Sequence, residues 1–455
     1  MILKMLSLRK KIFLSFLIFS SAVSCMQAQP DMQAVKKNIQ QRIHEKDILG
    51  ISVGYIHPDG HASFFSRGYL STGQKRRVNK HTIYEIGSVT KTFTALIFAR
   101  MVQQHKIALD DSIGQFLPDS VHTPSYHGQK ITLKSLATHT SGLPRMPANF
   151  SPKSQLNPYV DYTARDLYQF LDHYKLKRAP GASYQYSNVG MGLLGDILMR
   201  VSGLSYRHLL KKYITSPLEM TNTYIHIPKS KYSQFAHPYF YGNPIRHWTW
   251  NILTGAGSIR STTADMVRYM KAQMGFAPTQ LYTAIKYTHL MRFSIGSNSD
   301  IGLAWLESTK KDTILWHNGG TGGFRSFIGY NKQTDTGVVI LSSGRDNIDD
   351  IGFHLLDQQF ALRPVKHSIS VKPQVLAKYT GTYKLTPTFS IRITRDNDHL
   401  YARGTGQQKF RLYPESKTKF FLKPVKAEIR FIKDKKGKFT KLKLYQNGRV
   451  TEGAK

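Results

Sequence analysis

Strand-forming segments occur at two widely separated places in this chain, and most of what lies between them reads as helix. Ile48-Leu49-Gly50-Ile51-Ser52-Val53-Gly54-Tyr55-Ile56 has the apolar, β-branched character of a strand, and the His57-Pro58-Asp59-Gly60 turn folds it into a second strand over His61 to Tyr69. Gly323 to Tyr330 and Gly337 to Ser342 carry the same signal near the far end. Each pair has a helix to cover it. Asp31 to Lys46 precedes the first, with Val35, Ile39 and Ile43 at four-residue spacing, and Asp349 to Phe360 follows the second. Between them, Val89 to Gln104 reads as an amphipathic helix on Val89, Phe93, Leu96, Ile97 and Met101, followed by helices over Asp166 to Tyr174, Met191 to Val201 and Thr263 to Met274, the last with Thr262 or Thr263 as N-cap. The expected fold is α/β (α+β): an antiparallel sheet flanked by helices, with an all-α insertion.

The pattern changes after Arg363-Pro364. Short strand-like runs follow without helices, at Tyr379 to Tyr383, Phe389 to Thr394, His399 to Arg403, Lys409 to Tyr413, Lys419 to Leu422, Glu428 to Ile432 and Phe439 to Gln446, with turns at Asp396-Asn397-Asp398 and Asp434-Lys435-Lys436-Gly437. These predict a small all-β barrel over 366–455, after a main domain over 29–362. Residues 1–28 read as an export signal: Lys4, Arg9, Lys10 and Lys11, then the short apolar run Ile12 to Phe19, then Ser20, Ser21 and Ala22. The protein is therefore expected to be exported, as a periplasmic, secreted or lipid-anchored component of a bacterial envelope. Cys25, the single cysteine, excludes an intrachain disulfide. Ala22-Val23-Ser24-Cys25 resembles a lipoprotein cleavage box, with Ala22 where leucine is usual, which makes Cys25 a candidate for lipidation; cleavage after Ala22 or Ala28 is the alternative. The formal net charge of +36 favours contact with an anionic envelope polymer. Nucleic acid is not expected as a partner, because the charge is spread along the chain and no nucleic-acid-binding motif accompanies it.

Three short segments carry residues able to do chemistry. Ser-x-x-Lys occurs at Ser7, Ser88, Ser308 and Ser416, but only Ser88 opens a long helix, where the helix dipole favours developing negative charge. Lys91 then lies on the same face as Ser88, and a lysine held in a partly desolvated cleft loses basicity and can accept a proton. Taken alone, the tetrapeptide equally describes an N-cap serine beside an exposed lysine. Tyr-x-Asn occurs at Tyr186, Tyr241 and Tyr445; Tyr186 follows Pro180-Gly181 and precedes the glycine-punctuated helix start Val189 to Leu194. A phenol there can act as a base, and Asn188, in an extended segment, can bind a substrate amide. A core tyrosine with a turn asparagine is the plainer reading. The third segment is His317-Asn318-Gly319-Gly320-Thr321-Gly322-Gly323, where glycine lets a substrate approach an edge strand and a backbone N–H can complete an oxyanion hole with that of Ser88. A flexible hairpin turn would look the same. No His-Glu-x-x-His occurs among the 18 histidines, no metal or organic cofactor is expected, and His139 reads as part of a structural loop.

The order Ser88-x-x-Lys91, Leu136-Ala137-Thr138-His139-Thr140-Ser141-Gly142-Leu143-Pro144, Tyr186-x-Asn188, Gly255-Ala256-Gly257-Ser258-Ile259-Arg260-Ser261-Thr262 and His317-x-Gly319-Gly320 resembles the serine β-lactamase and penicillin-binding-protein superfamily. The likeness is greatest to the class C branch with its esterase and D-aminopeptidase relatives, and it covers about Asp31 to Ala361. Tyr379-x-Gly381-x-Tyr383 and Tyr445-Gln446-Asn447-Gly448 resemble the lipocalin-like barrel appended to such hydrolases. The resemblance implies a nucleophile at Ser88, a base shared by Lys91 and Tyr186, substrate contacts from Asn188, His317 and Gly319, and oxyanion N–H groups at Ser88 and Gly320. It implies small esters, D-amino-acid peptides or amides, peptidoglycan-type peptides or β-lactams as substrates. One departure is visible: class C enzymes usually carry Lys-Thr-Gly where this chain has His317-Asn318-Gly319, a change common among the esterase and peptidase relatives. A neutral histidine cannot grip a carboxylate as a lysine does; Arg325 is a candidate to compensate. A catalytically inactive cationic protein that keeps the fold for envelope binding is the competing reading, and oligomerisation through the barrel is a further expectation.

Overall fold

The computed structural model describes residues 31–240 and 243–455. The expected leader and Cys25 lie outside the described residues. The main domain is built on a nine-stranded antiparallel sheet in the order Phe293–Gly296, Ser299–Ile301, Leu306–Ser308, Ile314–Gly320, Phe324–Asn331, Thr336–Gly344, Ile48–Ile56, Ala62–Ser71, Gln74–Arg77. The two separated strand groups meet at its centre, where Val53 faces Ile340 and Tyr55 faces Val338. Both faces are covered, so the central strands are apolar without alternation: all of Thr336–Gly344 is buried. Val338 and Ile340 join Val35 and Ile39 of the helix Met32–His44 and Ile351 and Leu355 of Asp349–Leu356 on one side. Val339 and Leu341 join Met266 and Met270 of the helix Thr263–Met274 on the other.

The lobe between the strand groups is organised around the helix Thr90–Gln103. Its expected amphipathic character is not what the structure has: every residue from Thr90 to Ala99 is buried. Thr90, Thr92 and Thr94 are buried with the apolar residues. Thr94 Oγ1 donates to Gly255 O at 2.7 Å, and Tyr269 OH donates to Thr92 Oγ1 at 3.1 Å. Buried hydroxyls with partners carry little penalty, so the helix can be central. The lobe is not purely helical, since Ile83–Glu85 pairs with Arg260–Thr262, and Ser125–Tyr126 with Gln129–Lys130.

Residues 381–454 form a closed eight-stranded barrel. Its last strand, Arg449–Ala454, has no counterpart among the sequence-predicted runs. Tyr379 and Tyr383 are both fully buried; Tyr383 OH donates to Tyr379 O at 2.8 Å, and Tyr379 stacks on Phe431. The barrel is clasped to the sheet domain by Lys423, whose ammonium lies 2.7 Å from Asp47 Oδ1 and donates to Glu45 O.

Candidate functional site

The segment entering the central helix is fixed before the helix begins. Glu85 faces Arg260 across the short ribbon and accepts from Trp248 N at 3.0 Å. Gly87 then takes a left-handed backbone (φ 49°), and a Cβ there would stand 2.6 Å from Gly320 N, so only glycine lets the turn Gly87–Val89 press against the strand Ile314–Gly320. Ser88 sits in that turn, half-buried, immediately ahead of Thr90–Gln103.

Lys91, one turn on, is fully buried. Its Nζ lies 2.9 Å from Ser88 Oγ, 2.9 Å from Asn188 Oδ1 and 2.7 Å from Ala256 O. Burial, reinforced by the charge of Arg145, holds its pKa well below the usual lysine range. The neutral amine has two N–H groups and one lone pair. Asn188 Oδ1 and Ala256 O can only accept, so they take the two protons, and the lone pair is left facing the one neighbour that can donate, the Ser88 hydroxyl.

Tyr186 comes within hydrogen-bonding reach of the Ser88 side chain, and its ring centroid lies 4.8 Å from Lys91 Nζ. Burial pushes the phenol up, with the bond to Ser88 opposing, so the phenol stays protonated at neutral pH. The loop that the sequence shows as Leu136 to Pro144 is the cradle for this tyrosine. His139 O accepts from Gln185 N at 2.8 Å, His139 Nδ1 from Ser187 N at 3.2 Å, and Pro144 O from Ser187 Oγ at 2.7 Å. The His139 ring packs 4.5 Å from that of Tyr186. Asn188 is not in an extended segment as expected; it is the first residue of the helix Asn188–Ser202, with Ser187 as N-cap. The helix needs Gly192 and Gly195 because Leu253 and Gly255 pack directly on them, and that contact brings Ala256 O to Lys91.

His317, Gly319 and Gly320 lie on a strand that is internal to the sheet, not at its edge. Its neighbour Leu306–Ser308 pairs only with Ile314 to Trp316, however, so among the described residues His317 to Gly320 have no partner strand on that side. Thr321 N donates to Phe324 O, and the alternation of an antiparallel ladder then turns the Gly320 N–H away from its paired strand. The space at Gly319 is filled by protein: a Cβ there would meet Ile86 O at 2.1 Å and Ser88 N at 3.0 Å. His317 is buried, its Nδ1 donates to Asn318 O at 2.6 Å, and burial, with the charge of Lys91 adding to it, pushes its pKa down to about 3. Arg325 stands opposite Gly320 on the other face of the strand pair and donates back to Phe324 O at 3.2 Å.

Two participants escaped sequence reasoning. Ala256 O has no side-chain signature at all. Arg145 follows Leu143-Pro144 without any motif of its own, yet its guanidinium carbon lies 4.9 Å from the centroid of the Tyr186 ring.

Residues 35–357 match the Beta-lactamase family model. The chain belongs to the beta-lactamase family. It lies within the wider superfamily of penicillin-binding-protein-like serine hydrolases. The chain is 27% identical to a beta-lactamase of Pseudomonas fluorescens over 348 residues, which is 68% of this chain and 93% of that protein. It is 27% identical to the D-alanyl-D-alanine-carboxypeptidase/endopeptidase AmpH of Escherichia coli (strain K12) over 353 residues, 73% of this chain and 91% of that protein. The fold is shared with the octameric penicillin-binding protein homologue from Pyrococcus abyssi, with a TM-score of 0.65 and 23% identity over 93% of this chain and 100% of that one. Residues 365–454, which include the barrel, match a model described as a domain of unknown function, DUF3471. Among the described residues, no helix is long and apolar enough to cross a membrane.

Proposed function

We propose that this chain is a serine hydrolase that works through a Ser88 acyl-enzyme on esters, D-amino-acid peptides or amides, peptidoglycan-type peptides or β-lactams. The observation that carries the reading is the buried Lys91, its pKa lowered by burial, with Nζ 2.9 Å from Ser88 Oγ and its other two contacts, Asn188 Oδ1 and Ala256 O, able only to accept. Ser88 Oγ attacks the substrate carbonyl carbon while its proton passes to Lys91 Nζ. The N–H groups of Ser88 and Gly320 hold the oxyanion; losing one such donor typically raises the barrier by roughly 2.7–4 kcal/mol. Burial acts oppositely on the two titrating groups, so the roles divide: the neutral amine is the base and the neutral phenol of Tyr186 is the acid. As the C–N or C–O bond breaks, Tyr186 protonates the leaving group and recovers its proton from Lys91. Water then attacks the acyl-enzyme by the same steps in reverse, and no other co-reactant is needed.

Asn188 serves here first as an orienter of Lys91, with its amide N toward Tyr159 OH at 3.4 Å. We place the protein in the cell envelope, on the leader-like residues 1–28 and the likeness to a D-alanyl-D-alanine-carboxypeptidase/endopeptidase and to a penicillin-binding protein. The test is covalent. A fluorophosphonate or penicillin probe should add its mass to the tryptic peptide containing Ser88, and Ser88→Ala should lose both the label and at least about 10³-fold of p-nitrophenyl butyrate turnover. Labelling elsewhere, or a Ser88→Ala enzyme as active as the wild type, would overturn the reading in favour of an inactive envelope-binding protein.

A further inference from the structure

A hydrolase of this kind must hold its substrate as well as cut it, and the usual cation of the third box is absent. His317 is neutral in its buried place, and Arg325 folds back onto Phe324 O on the opposite face of its strand pair. Cationic charge reaches the site from another direction. Arg145 is exposed, and its backbone is pinned because its carbonyl accepts from Asn188 N at 2.9 Å. Its guanidinium rests against the Tyr186 ring, where it also acts on the charge of Lys91 and His139. Among the described residues, no carboxylate forms an ion pair with it. A guanidinium held over an aromatic face still has N–H groups directed away from the ring, in the fork geometry that suits a bidentate acceptor.

We propose that Arg145 is the carboxylate-binding residue of this site, so that the preferred acyl donors carry a free carboxylate on the leaving-group side of the scissile bond. The proposal rests on the Ser88 reading above. Its geometry is that of a peptide end. Tyr186 spans the gap from Ser88 to Arg145, with the phenol toward Ser88 and the ring beneath the guanidinium, so the guanidinium lies roughly 10 Å or less from Ser88 Oγ when normal hydrogen-bond lengths are added along the path. In a substrate whose last residue is the leaving group, the terminal carboxylate stands one backbone repeat, about 3.8 Å, beyond the scissile carbonyl. One attack distance and one ion-pair distance account for the rest. The same leaving group would present its amine to Tyr186, between the two anchors.

The experiment uses the full chain and a matched pair of thioester substrates, an N-acylglycyl thioglycolate and its methyl ester, which differ only in the leaving-group carboxylate. The wild type should favour the acid in kcat/KM, and Arg145→Ala should reduce the acid-to-ester ratio by roughly 10- to 100-fold, the worth of a charge-assisted hydrogen-bonded pair. Any effect of the substitution on Tyr186 acts on both substrates and cancels in that ratio. Arg145→Lys keeps the charge without the fork and should retain an intermediate ratio, which also covers the case of an alanine variant that fails to fold. A wild type indifferent to the carboxylate, or a preference that survives Arg145→Ala, overturns the assignment of Arg145 while leaving the acyl-enzyme intact. If neither thioester acylates Ser88 and a fluorophosphonate does not phosphonylate it, it is the hydrolase reading that falls, and this one with it.

Discussion

Gly319 and Gly320 are adjacent, yet their substitution by alanine should have very different outcomes. A methyl at Gly319 would sit 2.1 Å from Ile86 O, 2.4 Å from Ser326 Oγ and 3.0 Å from Ser88 N. The first of these is backbone and has no rotamer to escape into. Bringing that contact from 2.1 Å to 3.0 Å requires the Ile86–Ser88 turn to retreat by about 0.9 Å, and it breaks the 2.7 Å bond from Ser326 Oγ to Ile86 O. A displacement of roughly 1 Å at a reacting group costs on the order of 10²-fold in rate, or about 2.7 kcal/mol of barrier. Overpacking should add a loss of about 1–3 kcal/mol in stability. A methyl at Gly320 points to the opposite face and meets Arg325 Nη1 at 2.3 Å, the far end of a flexible side chain. Arg325 can swing away, and the Gly320 N–H remains where it was. Gly320→Ala should therefore lose less than about tenfold. Burst-phase acylation of Ser88 by a chromogenic ester, read by stopped flow on variants whose melting curves remain cooperative, measures both. A Gly319→Ala protein that acylates at the wild-type rate, or two variants equally impaired, would refute the reasoning.

Two further outcomes follow from the charges around the site. Asn188→Asp places a carboxylate at 2.9 Å from Lys91 Nζ and favours the ammonium, so the rising limb of kcat/KM should move to higher pH and activity at pH 7 should fall; an unmoved limb in a pH–rate profile would count against Lys91 as the base. His317 stays neutral in the fold down to about pH 3, whereas in the unfolded chain it takes up its proton near 6.5. The unfolded state binds more protons between those values, so stability is lost as pH falls through that window, by about 2 kcal/mol at pH 5 from this residue. His317→Gln should shrink the difference between urea midpoints at pH 7 and pH 5, and an unchanged difference would contradict the burial argument.

Elements with strong local signals were legible in the sequence. Thr263–Met274 carries its cap at Thr262 and its stop at Gly275, and the strand Ile48–Ile56 is a largely apolar run broken only by Ser52 and two glycines; both begin and end where expected. What was not legible depends on tertiary contact. The strands Phe293–Gly296, Ser299–Ile301 and Leu306–Ser308 are short and partly polar, and they become strands only by adding to a sheet already built. The polar residues of Thr90–Gln103 resemble a wet face because sequence periodicity cannot tell water from an internal hydrogen-bonding partner such as Gly255 O. Ser88, Lys91, Tyr186 and His317 could be singled out because their residue types are chemically distinctive. Ala256 and Arg145 could not, since a backbone acceptor and a loop arginine acquire meaning only from what the fold sets beside them.

The meeting of Ile48–Ile56 with Thr336–Gly344 has a consequence for how the molecule is made. The end of one strand and the start of the other lie 280 positions apart, at 56 and 336. At a synthesis rate of roughly 5–20 residues per second, the first hairpin waits about 15–55 s for the strand that completes the sheet. During that interval one of the most apolar edges in the protein has no neighbour to pair with, and unpaired edges of this kind recruit other chains. Holdase chaperones or slow translation should matter more to the yield of this protein than to that of one whose sheet is assembled from neighbouring segments.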